Sequence, residues 1–343
     1  MANHNILAVG ASAGGLGALK QLAAGFPSDL PAAVLFVMHL RGDARSALAD
    51  IIDRAGPLRA TFAHDRERLE AGRIYIAPPD RHLLLDDGHL RLGAGPRENN
   101  SRPAIDPMFR SAAICCGPRT VGVVLTGYLN DGASGLRAIK RCGGTTVVQD
   151  PQDAAYPDMP RNALAQGDAD HVVALNEMPA LLQKLVRAPA RRLIEIPEDI
   201  RIEVDAAAGH GDMETLDRLG KRSVLSCPDC HGALWELEDG ELIRYRCHIG
   251  HAYTAEALDL AQGDDLGRAL ESALRALEER VRLLRRLQEQ AHSQGRDLLA
   301  QQWADRAREF EQQVEVVRRA LAGERASSIF RQDGRPTSTS AAK

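Results

Sequence analysis

Over the first half of the chain, short continuous apolar runs alternate with stretches whose apolar residues recur every three or four positions. The runs fall at residues 6–9, 32–37, 72–77, 121–126, 145–149 and 171–175, and they read as strands. Helical patterns over residues 15–24, 45–54, 107–116 and 134–142 lie between most of them. Continuous apolar strands alternating with helices predict an α/β fold: an open, doubly wound, mostly parallel sheet covered on both faces. Residues 82–85 and 89–92 flank Asp86-Asp87-Gly88, which predicts a hairpin within that scaffold.

The pattern changes after residue 187. Residues 188–222 are more polar and read as a linker, with Gly209-His210-Gly211 near its middle. Residues 223–256 form a short, turn-rich unit holding three cysteines. Over residues 262–325, Leu270, Leu274, Leu277, Val281, Leu284 and Ala291 make one heptad-like series. Trp303, Ala307, Phe310, Val314, Val317 and Leu321 make a second. The break at His292-Ser293-Gln294-Gly295 predicts that the two helices fold back as a hairpin. The tail, residues 326–343, is expected to be disordered because its end is dominated by Ser, Thr, Gly and Pro. No internal repeat is visible.

At 343 residues the chain is long enough for one catalytic domain and a smaller module. Only 4% of residues are aromatic against 44% hydrophobic, so the core must be built mainly of Val, Leu, Ile and Ala. A net charge of -4 gives no basic excess, and nucleic acid is not an expected partner. No stretch reaches the length and apolarity of a membrane span, and the N-terminus lacks the features of a signal peptide. The cysteines cluster in a way that suits metal binding better than disulfides, so the expected compartment is the cytoplasm.

Gly10-Ala11-Ser12-Ala13-Gly14-Gly15 follows the first strand and opens the first helix. A serine there projects from a tight turn among small neighbours, and N–H groups at the helix start can hold an oxyanion. The same glycines also resemble a dinucleotide-binding turn. Two observations disfavour that reading: no tyrosine has a lysine four residues later, and the second strand ends in Met38-His39-Leu40, with Asp43 lying further on. His39 and Asp131 both follow strands, so in a parallel sheet they share the carboxyl edge with Ser12. A carboxylate there can orient an imidazole that activates a serine. Asp131 is alternatively the cap of the helix that begins at Ser134. The order Ser, His, acid is not that of the α/β-hydrolases.

Several segments between residues 5 and 180 resemble the catalytic domain of bacterial chemotaxis methylesterases of the CheB type. They are the Ser12 turn, Met38-His39, Ile76-Ala77-Pro78-Pro79-Asp80-Arg81-His82-Leu83, the stretch from Arg102 to Ser111, Leu125-Thr126-Gly127 with Asp131-Gly132-Ala133, and Met159-Pro160-Arg161. The resemblance implies hydrolysis of glutamate methyl esters on the cytoplasmic helices of chemoreceptors, with glutamine deamidation as a second activity. It assigns Ser12 as nucleophile, His39 as general base and Asp131 as orienting acid, with no cofactor for catalysis. Backbone N–H groups at Ala13 and Tyr128 are the expected oxyanion hole. A signalling kinase and the receptor methyltransferase are further partners of such a system. The family commonly has Met-Gly where this chain has Tyr128-Leu129, so the loop and substrate pocket are expected to differ. The family's usual N-terminal receiver domain is not expected ahead of residue 5, and regulation is expected to come from elsewhere. Arg81, His82 and Arg110 are weaker candidates near the pocket.

Cys227-Pro228-Asp229-Cys230 and Cys247-His248-Ile249-Gly250-His251 have the spacing of two zinc knuckles. Cys227, Cys230, Cys247 and His251 are the expected ligands of a closed, structural zinc site, with His248 as the alternative fourth. The intervening segment predicts a hairpin turning at Glu238-Asp239-Gly240. Cys115, Cys116 and Cys142 fall in helical apolar patterns and read as core residues. A non-catalytic scaffold that binds receptor or kinase helices is the rival reading, and a nucleotide-binding reductase is a third.

Overall fold

The computed structural model describes residues 5–40, 46–167, 169–190, 194–208, 210 and 213–332, with side chains to residue 324. The first part of the chain runs β1 (Asn5–Ala11), α1 (Gly15–Ala24), β2 (Ala32–Met38), α2 (Leu48–Asp53), β3 (Arg59–Phe62) and β4 (Arg73–Ile76). A hairpin follows, β5 (His82–Asp86) and β6 (His89–Gly93), then α3 (Ile105–Cys116), β7 (Thr120–Val124), α4 (Ala133–Arg141) and β8 (Thr145–Gln149). The scaffold ends with α5 (Asp158–Ala165), β9 (His171–Val173) and α6 (Met178–Arg187).

Seven strands pair in the order β3-β4-β2-β1-β7-β8-β9, every neighbour parallel. Alternation along each strand sends successive side chains to opposite faces. Ile6 and Ala8 of β1 join Leu35, Val124 and Val148 under α3 and α4. Leu7 and Val9 join Val34, Phe36, Val123 and Val147 under α1, α2 and α6. From β1 the chain winds outward through β2 on one side and, later, through β7 on the other. The carboxyl ends of β1 and β7 are therefore the switch point of the sheet, where such folds open a crevice. The expected doubly wound sheet is present. β3 went unpredicted because Arg-Ala-Thr-Phe is too short and too polar to stand out.

Two helices, α7 (Glu198–Ala207) and α8 (Met213–Leu219), lie in the stretch read as a linker, and Ile200 of α7 joins the core. Next comes a four-stranded antiparallel sheet of β10 (Lys221–Ser226), β11 (Ala233–Asp239), β12 (Leu242–Cys247) and β13 (Ala252–Thr254), in that order. The predicted hairpin is its centre, β11–β12, with Gly240 at positive φ in the turn. The compact unit containing both sheets runs to Leu258.

Within that unit a buried ionic cluster joins the second sheet to the first body. Glu98 accepts from Arg110 of α3 and from Arg246 of β12, and Glu203 of α7 pairs with Arg244 and Arg246. Burial alone would raise both carboxyls, but the facing guanidiniums hold them below the usual range.

The second compact unit begins at Asp259. It contains most of α9 (Ala255–Ser293) and all of α10 (Asp297–Gln332). Arg285 pairs with Glu311 and Arg318 with Glu278, so the helices run antiparallel as a hairpin. Gly295, at φ 67°, makes the reversal between them. α10 continues to Gln332, and residues 333–343 of the expected tail lie outside the described residues, as do His4 and Asp43. Among the described residues no helix is long and apolar enough to cross a membrane.

Candidate active site and candidate metal centre

Ser12 follows β1 by one residue, His39 follows β2 by one, and Asp131 lies in the loop from β7 to α4. The parallel register brings all three to one edge. Ser12 Oγ lies 3.0 Å from His39 Nδ1, and His39 Nε2 lies 2.6 Å from Asp131 Oδ2. The ring thus offers Nδ1 to the hydroxyl, and Nε2–H donates to the carboxylate. Ser12 is half-buried, the His39 side chain is 22% exposed and that of Asp131 only 2%, so the row runs from the surface inward.

The turn around Ser12 is shaped by small residues. Ser12 N–H donates to Thr126 O at 3.0 Å, and Gly15 N–H donates to Ser12 O at 2.9 Å. Gly14 sits in the left-handed region at φ 73°, which suits glycine. A Cβ at Gly127 would fall 2.8 Å from Ser12 Cβ and 2.0 Å from Met159 Sδ. The Thr126 hydroxyl donates to Ala13 O at 3.0 Å and accepts from Tyr156 N–H at 2.8 Å. Ala13 thus begins the turn into α1, while Tyr128 follows the glycine that packs on Ser12. Tyr128, 37% exposed, meets Tyr156 edge-on at 4.6 Å. Leu129, where the resembling family commonly has glycine, adopts φ 62° and accepts from Asn162 Nδ2 at 2.7 Å.

Asp131 does not cap its own helix: Gly132 occupies the cap position of α4, with no side-chain bond. Its carboxylate sits instead at the start of α3, accepting from Ile105 N–H at 2.7 Å and Asp106 N–H at 3.2 Å. Asn99 Nδ2 adds a bond at 3.1 Å. Burial would raise this carboxyl, but the His39 bond and charge, Ile105 N–H and Asn99 hold it below the usual range. Asp106, which the sequence reading did not single out, caps α4 by accepting from Gly132 N–H at 3.0 Å and Gly135 N–H at 2.7 Å. Burial, then the charge of Asp131, raises it to about 7. Asn99 is the other residue the sequence did not announce.

The weaker candidates near the pocket have other surroundings. His82 is fully buried, its Nε2–H donating to Pro96 O at 2.9 Å, and burial lowers its pKa. Arg110 belongs to the buried ionic cluster, and Arg81 donates to the Asp80 carbonyl at 2.8 Å.

The thiols of Cys227, Cys230 and Cys247 and Nδ1 of His251 all lie within 4.8 Å of one another. Cys230 Sγ to Cys247 Sγ is 3.6 Å, and His251 Nδ1 lies 3.7 Å from Cys227 Sγ and 3.4 Å from Cys247 Sγ. A tetrahedron of Zn–S and Zn–N bonds has edges of about 3.5–3.8 Å, so this donor set can hold a structural metal. Hydrogen bonding from Cys247, opposed by burial and helped by His251, lowers the Cys227 thiol to about 3, while the Cys230 and Cys247 thiols are raised, so within the group Cys227 is the thiol that ionises most readily. The Tyr253 hydroxyl donates to Asp229 at 2.6 Å, and that carboxylate lies 3.9 Å from His251 Nε2. The ring of His248 rests on Gly232, and the drawn-together group is the one with His251. Cys142 is buried, and Cys115 and Cys116 pack partly buried against the core.

Residues 7–182 match the model of the family described as CheB methylesterase. A protein-glutamate methylesterase/protein-glutamine glutaminase 2 of Methanosarcina mazei is 36% identical over 192 residues, 54% of this chain and 52% of that protein. A putative protein-glutamate methylesterase/protein-glutamine glutaminase of Leptospira interrogans is 34% identical over 184 residues, 53% of this chain and 95% of that protein. The crystal structure of the Thermotoga maritima CheB methylesterase catalytic domain superposes with a TM-score of 0.52 at 31% identity, covering 54% of this chain and 100% of that one. The match spans only about half the length of the Methanosarcina mazei relative and of others like it.

Proposed function

The chain belongs to the CheB methylesterase family, and from that premise we propose that it is a protein-glutamate methylesterase with Ser12 as nucleophile, His39 as general base and Asp131 as orienting acid. The observation that carries the reading is the unbroken row of hydrogen bonds from Ser12 through His39 to Asp131. A scaffold that only bound helices would have no use for it.

In the proposed reaction Ser12 Oγ attacks the γ-carbonyl of a methylated glutamate as His39 Nδ1 takes the hydroxyl proton. Asp131 holds the ring with Nε2–H toward itself and balances the imidazolium charge. Backbone N–H groups of Ala13 and Tyr128 receive the oxyanion. His39 returns the proton to the leaving methoxide, methanol departs, and water activated by His39 releases the glutamate. With a glutamine substrate the same steps release ammonia, the second activity in the relatives' names. The substrate would be the cytoplasmic helices of methylated chemoreceptors, with the kinase or methyltransferase of that system as further partners, and the enzyme would work in the cytoplasm.

Cys227, Cys230, Cys247 and His251 would hold a structural zinc, which when bound supplies a four-ligand cross-link between the knuckles and no reaction step. The test is methanol release from membranes carrying methylated chemoreceptors. Ser12→Ala should lower the rate by several orders of magnitude. An unchanged rate would defeat the assignment.

A further inference from the structure

The second sheet reaches the triad from behind. Residues 98–101 form a tight turn in which Ser101 N–H donates to Glu98 O at 2.9 Å and Glu98 N–H to Ser101 O at 3.2 Å. Its central residues, Asn99 at φ 49° and Asn100 at φ 61°, are both left-handed, the pattern of a type I′ turn for which asparagine is well suited. The turn docks on β13: Asn99 N–H donates to Ala252 O at 2.8 Å, and Ala252 N–H donates to Arg97 O at 3.3 Å. Thr254 N–H donates to Asn99 Oδ1 at 3.1 Å.

That last bond decides which way the Asn99 amide points. Only its oxygen can accept from Thr254 N–H, so Nδ2 must face the other way. There it donates to Asp131 Oδ1 at 3.1 Å and to Asp106 Oδ2 at 3.3 Å. A rotated amide would set an oxygen against two carboxyl groups.

The same threonine grips the residue before the acid. Asn130 is 1% exposed; its Oδ1 accepts from Thr254 Oγ1 at 2.6 Å, and its Nδ2 donates to Glu256 at 2.7 Å. Thr254 Oγ1 also accepts from Ala257 N–H at 3.3 Å, capping the start of α9. Two paths thus run from one residue to Asp131, and β13 begins one residue beyond His251 of the thiol cluster.

We propose that Thr254, acting through Asn99 and Asn130, is a positioning residue for the Asp131 carboxylate, so that the cysteine-bearing sheet is a working part of the hydrolase site. This rests on the reading of Ser12, His39 and Asp131 given above.

The test compares the full chain with Thr254→Val, Thr254→Ser and Asn99→Gly, the last keeping the left-handed turn while removing the amide. Three readouts are taken: methanol-release kinetics, the rate at which a fluorophosphonate labels Ser12, and the NMR shift of the His39 Nε2 proton. Thr254→Val and Asn99→Gly should each lower kcat and the labelling rate by about tenfold with KM little changed, because misplacing a catalytic group by under an ångström costs on that order. The His39 proton should move upfield in both, and Thr254→Ser should restore all three readouts. Folded variants that label at the wild-type rate with an unmoved proton would overturn the proposal, and Asn99→Gly carries the test if Thr254→Val does not fold. A wild-type chain that neither labels nor releases methanol would instead end the hydrolase reading, while the proton shift alone still decides the positioning.

Discussion

Asp106 and Asp131 each cap the other's helix. The carboxylate of Asp131 receives the first N–H groups of α3, on which Asp106 lies, and the carboxylate of Asp106 receives Gly132 and Gly135 N–H at the start of α4, just after Asp131. Both are 2% exposed. Two acids so close in a dry site cannot both ionise freely. Asp131, facing His39, is the one held ionised, and Asp106 takes up the proton more readily.

A pH dependence of stability follows from Asp106. Its carboxyl is raised from 3.8 to about 7 on folding. The folded state then binds more protons than the unfolded chain between those values, so this contribution is full below the lower one and is lost as pH rises through the upper one. Asp131 works oppositely, its contribution being present above 3.8 and lost as pH falls through its depressed value. Between about pH 5 and 8 the Asp106 effect should dominate of the two. The Tm of the wild type minus that of Asp106→Asn should therefore shrink as pH rises across that window. Parallel Tm curves would contradict the assignment.

Gly127→Ala tests how closely the β7 loop must approach the serine. The added methyl would stand 2.0 Å from Met159 Sδ and 2.8 Å from Ser12 Cβ. Methionine can yield, but the serine turn is tied to Thr126 O and to Gly15. A displacement of Ser12 should lower kcat by about tenfold to a hundredfold with the fold retained. Wild-type kcat in a folded variant would show that the loop has room to spare.

The sheet and the residues of the triad were legible in sequence because each leaves a local mark. Apolar runs mark strands; Ser12 and His39 follow two of them directly, and Asp131 lies in the glycine-flanked loop after a third. The supports of the site leave no such mark. Asn99 sits in a polar stretch, Glu-Asn-Asn-Ser, that reads as an ordinary loop, and its role arises only where β13 meets it 155 residues later in the chain. Asp106 looks like a first-turn acid of α3, yet it caps a different helix. β10, Lys-Arg-Ser-Val-Leu-Ser, is too polar to read as a strand and exists through pairing with β11. The substitution of leucine for the family's usual glycine at 129 suggested an altered loop. The structure holds Leu129 at φ 62°, in the conformation a glycine would adopt with less strain.

Glu98 should be among the costliest buried side chains to remove. It is 1% exposed between Arg110 and Arg246, which are 1% and 0% exposed. Glu98→Ala leaves Arg110 and Arg246 to share Glu203, which Arg244 already engages, and breaking one side of a buried ion pair costs about 3–5 kcal/mol. A fall of that size in unfolding free energy is expected from denaturant titration. A loss below about 1 kcal/mol would mean that water or Glu203 takes over the charge.

The metal proposal makes a claim independent of catalysis. The purified chain should carry one zinc, and cobalt in its place should show thiolate charge-transfer absorption with the visible bands of a tetrahedral site. Cys247→Ser removes a ligand that also ends β12, so it should abolish that spectrum and lower Tm. Chelation of the wild type should do the same, since a closed site stabilises only the state that preorganises its ligands. Ser12→Ala should leave both metal content and spectrum untouched, because the serine turn contributes no ligand. If Cys247→Ser retained full stoichiometry with an unchanged cobalt spectrum, Cys247 would not be a ligand and the cage would have to be redrawn, with His248, whose ring lies against Gly232 beside Cys230, the residue to replace next.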